Sequence, residues 1–583
     1  MTVAPEPDPD PDPAAGAEAR AGAEPGPSTG STALLLSDAA SRIGSSLDVF
    51  QTAEDLVDLL VPALGDMSSV ALTESVLVGD EPLPVFDPHE QRRVVAAKHA
   101  HGPRPPAMVQ VGEQAPLVPE LPDFGRLYKG GVALWTHEDA VEALGGDSEL
   151  FKRLVPPGMR QTLGASLFAR GVAVGYVAVA RTRDPRPFGE EDMRILRELA
   201  TRAGLAVDNA RRFTREHRMA VTLQRSLLPP ASTDIAAAET AGTYLEAEGA
   251  LSVGGDWFDV IPLASLRVAL VVGDVIGHGL RATATMARLR AAVQTLSHLD
   301  LPPDDVLLHL DDLVHRLAAE AEHPDVVGAS CLYAVYDPIT GRCRLAAAGH
   351  PRPVVVTPDG AARYLDVDPG PLLGVGGIPF EVSDVLLPTG STLVLYSDGL
   401  TGRDEQPAAL LDHLSATCRP GRPLADIGDG LVRTAPRTSP PADDVAVLLA
   451  RLRTVPPDDT AEWTYPADVA EVARAREAVA GRLSDWGLDE LVFTTELIVS
   501  ELVTNAIRHV GSGVTLRLIV DRSRDRVLVC EVSDTGNAQP RLRRARDTDE
   551  GGRGLFLVAQ LSSRWGSRYG ASGKTIWVEQ PID

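Results

Sequence analysis

Aromatic residues are scarce in this chain, at 4% of 583 positions, and there are only four cysteines, Cys331, Cys343, Cys418 and Cys530, with no CxxC pair. That scarcity excludes a disulfide scaffold and a cysteine-based zinc site, and it points to a reduced, cytoplasmic compartment. Basic charge is short as well: 55 Lys and Arg face 81 Asp and Glu, a net charge of −26. Nucleic acid is excluded as the main partner, because phosphate binding needs a basic surface. No apolar run reaches the length of a membrane span. Met1–Gly30 lacks the charged start and apolar centre of a signal peptide, so neither a membrane nor export is expected. Core-forming sequence is plentiful, at 44% hydrophobic residues. At roughly 150 residues per domain the length predicts about four domains.

Residues 1–32 are dominated by Pro, Ala, Gly and acids. They cannot bury enough apolar surface to offset chain entropy and read as a disordered acidic tail. Ordered sequence follows, with one amphipathic helical stretch over Ala39–Leu64. Strand-like runs come next at Ser69–Thr73, Met108–Val111, Thr162–Phe168 and Val172–Ala180. A long helix then opens with acids in its first turn, near Glu190. From Leu196 to Leu227 every third or fourth residue lies on one seam, which includes Leu199, Ala203, Ala206, Ala210, His217, Ala220 and Gln224. This connecting helix, 190–230, is expected to pair two chains into a homodimer; the competing reading packs it on its own domain. Pro229 and Pro230 end it. Residues 231–453 are strand-rich with helices near 280–298 and 303–320. A linker around Thr454–Thr460 precedes a last segment, 461–583.

The strand Gly171-Val-Ala-Val-Gly-Tyr-Val-Ala-Val-Ala, followed by Phe188-Gly-Glu-Glu-Asp-Met-Arg-Ile-Leu, makes the region 33–212 resemble a GAF sensor domain, an α/β fold. No cysteine precedes Cys331, so no tetrapyrrole is tethered there through sulfur. His89, His99, His101 and His137 fit no ligand spacing and read as surface residues.

Four acidic motifs stand out between 250 and 445: Val253-Gly-Gly-Asp256-Trp-Phe-Asp259, Val272-Gly-Asp274-Val275-Ile-Gly-His-Gly, Leu395-Tyr-Ser-Asp398-Gly399 and Pro441-Ala-Asp443-Asp444. Asp274 and Asp398 each follow an apolar, strand-like run, and Asp443-Asp444 precede another. A carboxylate there is costly unless paired or bound to a cation, and several together would repel one another. Oxygen-only ligands select Mg²⁺ or Mn²⁺. Any one Asp-Gly alone is an ordinary turn; all four in this order are not. With Leu223-Gln-Arg-Ser-Leu-Leu-Pro-Pro ahead of them, and Ala348-Gly-His350 and Pro371-Leu-Leu-Gly-Val between, the region resembles PPM-type, protein phosphatase 2C-like enzymes of the stage II sporulation protein E branch. That resemblance implies an αββα sandwich over 231–453 holding two Mn²⁺ or Mg²⁺. By it, Asp274 bridges the metals, the Val275 carbonyl and Asp256 add to the first shell, and Asp398 and Asp443 complete the second, with Asp443 preferred to Asp444. Ala348 and Gly402 depart from the branch's pattern, at places that are not direct ligands.

In the last segment Glu501, Asn505 and His509 recur every four residues and share one helical face. Downstream come Ser533-Asp534-Thr-Gly536 after a strand, and Gly551-Gly552-Arg-Gly554 before a helix, a Gly-rich helix start that suits an anion. Together they resemble the GHKL fold (gyrase, Hsp90, histidine kinase, MutL), in its anti-sigma-factor serine kinase branch, an α/β sandwich over 461–583. The resemblance implies Mg-ATP as cofactor, Asn505 on Mg²⁺ and Asp534 on the adenine amino group. Gly536, Gly552, Gly554 and Thr575 would line the nucleotide, residues 537–551 would form the lid, Glu501 would be the base, and Lys574-Thr575 would lie in the closing strand.

The whole is expected to be a multidomain α+β signalling enzyme. Its function would be that of a metal-dependent protein serine/threonine phosphatase of a partner-switching pathway. Its substrate would be a phosphorylated anti-sigma factor antagonist, with a sigma factor as a further partner. The alternative is chiefly an ATP-dependent anti-sigma serine kinase, or a sigma-factor-sequestering regulator, with weak phosphatase activity.

Overall fold

The protein is seen in a computed structural model that describes residues 29–83, 90–117, 124–146, 148–230, 232–246, 254–320, 328–402, 408–434, 443–523, 526–536, 554–570 and 573–582. Nearly all of the acidic tail, His89, the expected lid and Gly552 lie outside them. The chain divides into two compact units between Glu216 and His217.

In the first unit a six-stranded antiparallel sheet runs in the order Gln114–Ala115, Arg92–His99, Met67–Thr73, Val172–Arg181, Gln161–Ala169, Val132–Thr136. One core cluster joins its Val70, Leu72, Val177 and Val179 to helix residues Ala39, Leu56, Leu60 and Leu196. The single helix expected over Ala39–Leu64 is two, Thr29–Arg42 and Val49–Leu60. Gly44 breaks it at φ +89°, where a side chain would be strained, and Asp48 caps the second piece by accepting from Phe50 N–H at 2.7 Å. Met108–Val111 is a loop rather than a strand. Met108 and Val109 are apolar because they are buried under the sheet, which single-sequence patterning cannot tell from a strand.

Glu190–Leu227 is one helix of 38 residues. The first half of its seam is consumed within the chain: Leu196, Leu199, Ala203, Ala206 and Ala210 all belong to the unit's own core. Those five positions are not available to a second chain, so the homodimer seam is corrected to intrachain packing over that stretch.

The second unit begins with two facing antiparallel sheets. One has the order Ser383–Leu386, Arg342–Ala348, Ala329–Asp337, Val268–Val275, Trp257–Pro262. The other has the order Ala362–Tyr364, Val354–Val356, Thr392–Tyr396, Val445–Leu452, Ala238–Leu245, Ser232–Ile235. Period-two alternation divides their side chains. Val268, Leu270 and Val272 meet Leu393, Leu395 and Leu448 between the sheets. Ala269 and Val271 turn outward to Met286, Leu289 and Leu310 on helices Leu280–Ser297 and Pro303–Glu320. Helices Ala408–Thr417 and Leu424–Thr434 cover the other outer face through Leu410, Leu414 and Leu431. The result is a four-layer αββα sandwich, and both central strands are buried on both faces, which is why they read as continuous apolar runs. Strands Trp257–Pro262 and Val268–Val275 form a hairpin whose tip holds Ser265 and Leu266 both at φ +62°. Left-handed backbone at a residue with a Cβ costs about 1–2 kcal/mol, so this tip is strained twice over.

The chain then builds a five-stranded sheet in the order Thr460–Tyr465, Val514–Asp521, Val527–Asp534, Gly573–Pro581, Arg564–Gly570. Helices Glu471–Asp485, Asp489–Val510 and Gly554–Leu561 cover one face through Val479, Leu502, Ala506 and Val558, giving a two-layer α/β sandwich. Among the described residues no helix is long and apolar enough to cross a membrane.

Candidate active site and nucleotide site

The hairpin register pairs Gly273 with Trp257, so Asp256, just before one strand, and Asp274, just after Gly273 on the other, come side by side. Asp256 is buried. Burial, then the neighbouring Asp274 charge, hold its carboxyl well above the usual carboxylate range. Burial pushes Asp274 up to about 7, with the charges of Asp398, Asp443 and Asp444 adding to the rise and a hydrogen bond with Asp256 opposing it. Ser397 fixes Asp256: its hydroxyl donates to Asp256 Oδ2 at 2.5 Å and accepts from Ala446 N–H at 2.9 Å. Asp398 and Asp443 come from the facing sheet's strand ends. Both side chains reach solvent, yet the surrounding protein still raises each through desolvation. His278, from the turn after Asp274, opposes the rise at Asp443.

Asp443 and Asp444 have different surroundings. Asp444 is buried and its Oδ2 accepts from Gln224 Nε2 at 3.0 Å, Gly254 N–H at 2.8 Å and the Tyr244 hydroxyl. That oxygen is saturated by the fold. Gly254 and Gly399 are glycines of necessity here: a Cβ at Gly254 would stand 2.2 Å from Asp444 Oδ2, and one at Gly399 2.0 Å from the Asp444 carbonyl oxygen. Asp259, the last acid of the first motif, binds Arg290 Nε at 2.9 Å and Gln294 Nε2 at 2.8 Å and so ties the hairpin to helix Leu280–Ser297. Gly402 sits at φ +64°, which accounts for a glycine where the branch favours an acid.

The donors gathered here are oxygen only: the carboxylates of Asp256, Asp274, Asp398 and Asp443 and the neighbouring Val275 carbonyl. That donor chemistry fits a hard divalent cation. Among the described residues no three His, Cys, Asp or Glu converge into a compact ligand cage, although the carboxylates are near enough to raise one another. The fit rests on donor type and mutual electrostatics. Gln224, Tyr244 and Ser397 were not assigned to this site from sequence. Gln224 carried a signal, being with His217 a polar residue on the seam that ends before Pro229-Pro230; Tyr244 carried none.

In the C-terminal sandwich, helix Asp489–Val510 sets Glu501 and Asn505 against the start of helix Gly554–Leu561. A Cβ at Gly554 would meet Glu501 Oε2 at 2.2 Å and Asn505 Nδ2 at 3.6 Å, so these three residues come together. His509, one turn on, is exposed. Asp534 is buried at the end of its strand, where Oδ1 accepts from Lys574 Nζ at 2.8 Å and Gly536 N–H at 2.8 Å. Thr575 does not join this set. Its hydroxyl pairs with Ser533 at 2.8 Å, and both residues alternate to the sheet face opposite Asp534. Lys574, across the ladder from Asp534, occupies the place expected for Thr575.

Comparison with known proteins finds three family models along the chain: GAF domain over 51–207, Stage II sporulation protein E (SpoIIE) over 265–453, and Histidine kinase-like ATPase domain over 465–579. The chain thus carries these three domains in that order. Asp256 lies just ahead of the second match, whereas Asp274, Asp398 and Asp443 lie inside it. A curated relative, Protein IcfG of Synechocystis, is 23% identical over 205 residues, which is 31% of this chain and 31% of the relative, so the chain spans about a third of that protein. Among solved structures, the RsbU and RsbW domains of Rv1364c from Mycobacterium tuberculosis are 25% identical, with 60% of this chain and 95% of that one covered and a TM-score of 0.36. The SiaA-PP2C domain of Pseudomonas aeruginosa is 18% identical, covering 41% and 98%, with a TM-score of 0.32.

Proposed function

We propose that the SpoIIE-type domain is a metal-dependent protein serine/threonine phosphatase, and that the ATPase-like domain binds Mg-ATP as an anti-sigma serine kinase-like module. The observation that carries the reading is the set of four carboxylates, Asp256, Asp274, Asp398 and Asp443, brought from two facing sheets to one edge of the sandwich. Asp274 and Asp256 would hold the cations on one side with the Val275 carbonyl, and Asp398 and Asp443 on the other. Divalent cations bound there supply a water that is nucleophilic at neutral pH and neutralise charge on the phosphoryl oxygens. The chain's own part is positioning. Ser397 keeps Asp256 turned toward Asp274. The Gln224, Tyr244 and Gly254 donors hold Asp444, and with it the backbone that presents Asp443. No nucleophilic side chain is required, in keeping with four cysteines that are all buried and free.

In the ATPase-like domain Asn505 would hold Mg²⁺, Glu501 would act as base, Gly552 and Gly554 would border the phosphates, and Gly536 would line the nucleotide. Asp534 would meet the adenine through the oxygen left by Lys574. The chemistry of a phosphatase beside an anti-sigma kinase-like module fits partner switching, with a phosphorylated anti-sigma factor antagonist as substrate and a sigma factor as further partner. The test is phosphate release from a phosphoserine peptide by the full chain with Mn²⁺ or Mg²⁺ added after chelation. Hydrolysis restored by metal is expected; hydrolysis indifferent to chelation and metal would reject the reading.

A further inference from the structure

The hairpin that carries Asp256 and Asp274 at one end is gripped at its other end by the ATPase-like domain. Its tip turns through Arg267 N–H to Ala264 O at 3.4 Å, backed by Leu263 N–H to Arg267 O at 2.8 Å, with Ser265 and Leu266 both left-handed at φ +62°. A two-residue turn of this kind favours Asn-Gly; Ser-Leu is held there by something outside the turn. Ser265 is 1% exposed. Its hydroxyl donates to Glu531 Oε1 and accepts from Arg568 Nη1 at 2.9 Å. Glu531, itself 2% exposed, also binds Arg568 Nη2 at 2.7 Å and Arg517 Nη1 at 3.4 Å. The next residue of the tip, Arg267, pairs with Asp300 at 2.5 Å. A buried carboxylate, two guanidiniums and one serine hydroxyl thus meet where two domains touch, and each element is costly if a partner is removed.

The strands transmit position rather than absorb it. Val268, Leu270, Val271 and Val272 are fully buried, packed by the second sheet on one face and helices on the other. A strand so packed moves as a unit, because close-packed interiors have little slack. Asp274 lies six residues beyond Val268 on it, roughly 20 Å from the strand start at about 3.3 Å per residue. On the ATPase-like side, Glu531 lies three residues before Asp534 on the same strand, Val527–Asp534, and faces the opposite side of the sheet.

We propose that Ser265, Glu531 and Arg568 are positioning residues for the phosphatase site: the ATPase-like domain clamps the strained hairpin tip and thereby fixes Asp256 and Asp274 relative to each other. The inference rests on the phosphatase reading for its kinetic arm only. The experiment uses the full chain as wild type, Ser265→Ala, Arg568→Met and the conservative Arg568→Lys. Two quantities are read: amide hydrogen exchange of 257–275 in the metal-free chain, and the Mn²⁺ concentration for half-maximal hydrolysis of a phosphoserine peptide, with KM for the peptide. Ser265→Ala and Arg568→Met are expected to speed exchange at 268–275 about tenfold and to raise the Mn²⁺ half-point threefold to tenfold with KM unchanged. Arg568→Lys should recover part of both. If Arg568→Met fails to fold, Ser265→Ala carries the test, since it leaves the guanidinium pairs with Glu531 in place. Wild-type exchange at 268–275 in both Ser265→Ala and Arg568→Met overturns the clamp. A wild-type chain without metal-dependent hydrolysis rejects the phosphatase reading instead, and the exchange comparison still decides the clamp.

Discussion

At Asp256 and Asp274 two carboxylates stand side by side, and among the described residues neither forms an ion pair with a Lys or Arg. At Asp534 and Glu531, in the next domain, each buried carboxylate has its cation within the chain: Lys574 at 2.8 Å and Arg568 at 2.7 Å. Both arrangements answer the same cost, a charge removed from water. The first has no cation among the described residues, and burial together with the neighbouring acids raises both carboxyls. The second is self-contained, and Arg568, Ser265 and Arg517 outweigh burial to hold Glu531 below the ordinary Glu range. A cluster of acids that raise one another is where an external cation belongs; an acid already paired is where structure is being held.

The sharpest way to break this contrast is at Asp274. Asp274→Asn keeps the size of the side chain and removes its charge, and should lower metal-dependent turnover at least about a hundredfold, since ligand charge sets the acidity of the attacking water. Near-normal turnover would mean that the open acidic cluster is not the chemical site. Conversely, Lys574→Met leaves Asp534 buried without its ammonium. It should destabilise the C-terminal domain by about 3–5 kcal/mol, read as a lower denaturation midpoint; an unchanged midpoint would show that the pair is not structural. Asn505→Ala, which touches neither pair, should leave that midpoint near wild type and weaken Mg-ATP binding by about tenfold, the worth of one lost charge-assisted contact. Calorimetry with and without Mg²⁺ separates these two outcomes.

The contrast also has a pH signature. Asp274 titrates near 3.8 when unperturbed and near 7 when folded. The folded state therefore holds its proton more tightly, and this contribution to stability is present below about pH 4 and lost as pH rises toward 7. Glu531 is shifted the other way, so its contribution is present above its unfolded pKa and lost as pH falls through the lower folded value. In chelator, melting of the full chain should weaken between pH 5 and 7, and added Mn²⁺ should flatten that slope. A slope that Mn²⁺ leaves untouched would place its origin elsewhere than in the acidic cluster.

Much of this was legible in sequence because the relevant residues sit at strand ends. Runs such as Val268–Val272 and Val445–Ala450 announce strands buried on both faces, and an Asp or Asp-Asp beside such a run is conspicuous. The three-domain order was legible through resemblance: a strand and helix motif at 171–196 for the first domain, the acidic motifs for the second, and the Glu501, Asn505 and Gly-rich motifs for the third. Less visible was which way a side chain faces. Thr575 and Lys574 are neighbours, and only the register against Ser533 and Asp534 shows that the lysine, not the threonine, shares the face of Asp534. The seam from Leu196 to Ala210 has a spacing that suits a partner helix or a parent sheet equally, and packing chose the sheet. Contacts distant in sequence, such as Ser265 with Glu531, leave no local trace at all.

Gln224 gives the smallest expected effect and the finest test of the contrast. It lies at the end of the long helix, where its Nε2 also donates to the Gly254 carbonyl at 3.1 Å besides Asp444. Asp444 has one carboxylate oxygen filled by three neutral donors, and it stands next to Asp443, whose side chain reaches solvent. Gln224→Ala removes one of three donors to Asp444 Oδ2 and leaves Gly254 and Tyr244 in place. A single neutral hydrogen bond is worth about 1 kcal/mol, so turnover should fall several-fold rather than a hundredfold, with the metal half-point shifting in the same proportion. A drop as deep as that of Asp274→Asn would mean that Asp444 belongs with the open cluster and that its donors are part of the chemistry. No change would mean that two donors suffice to hold it. The intermediate value marks Asp444 as the boundary between the carboxylates the fold satisfies and those it leaves for a cation.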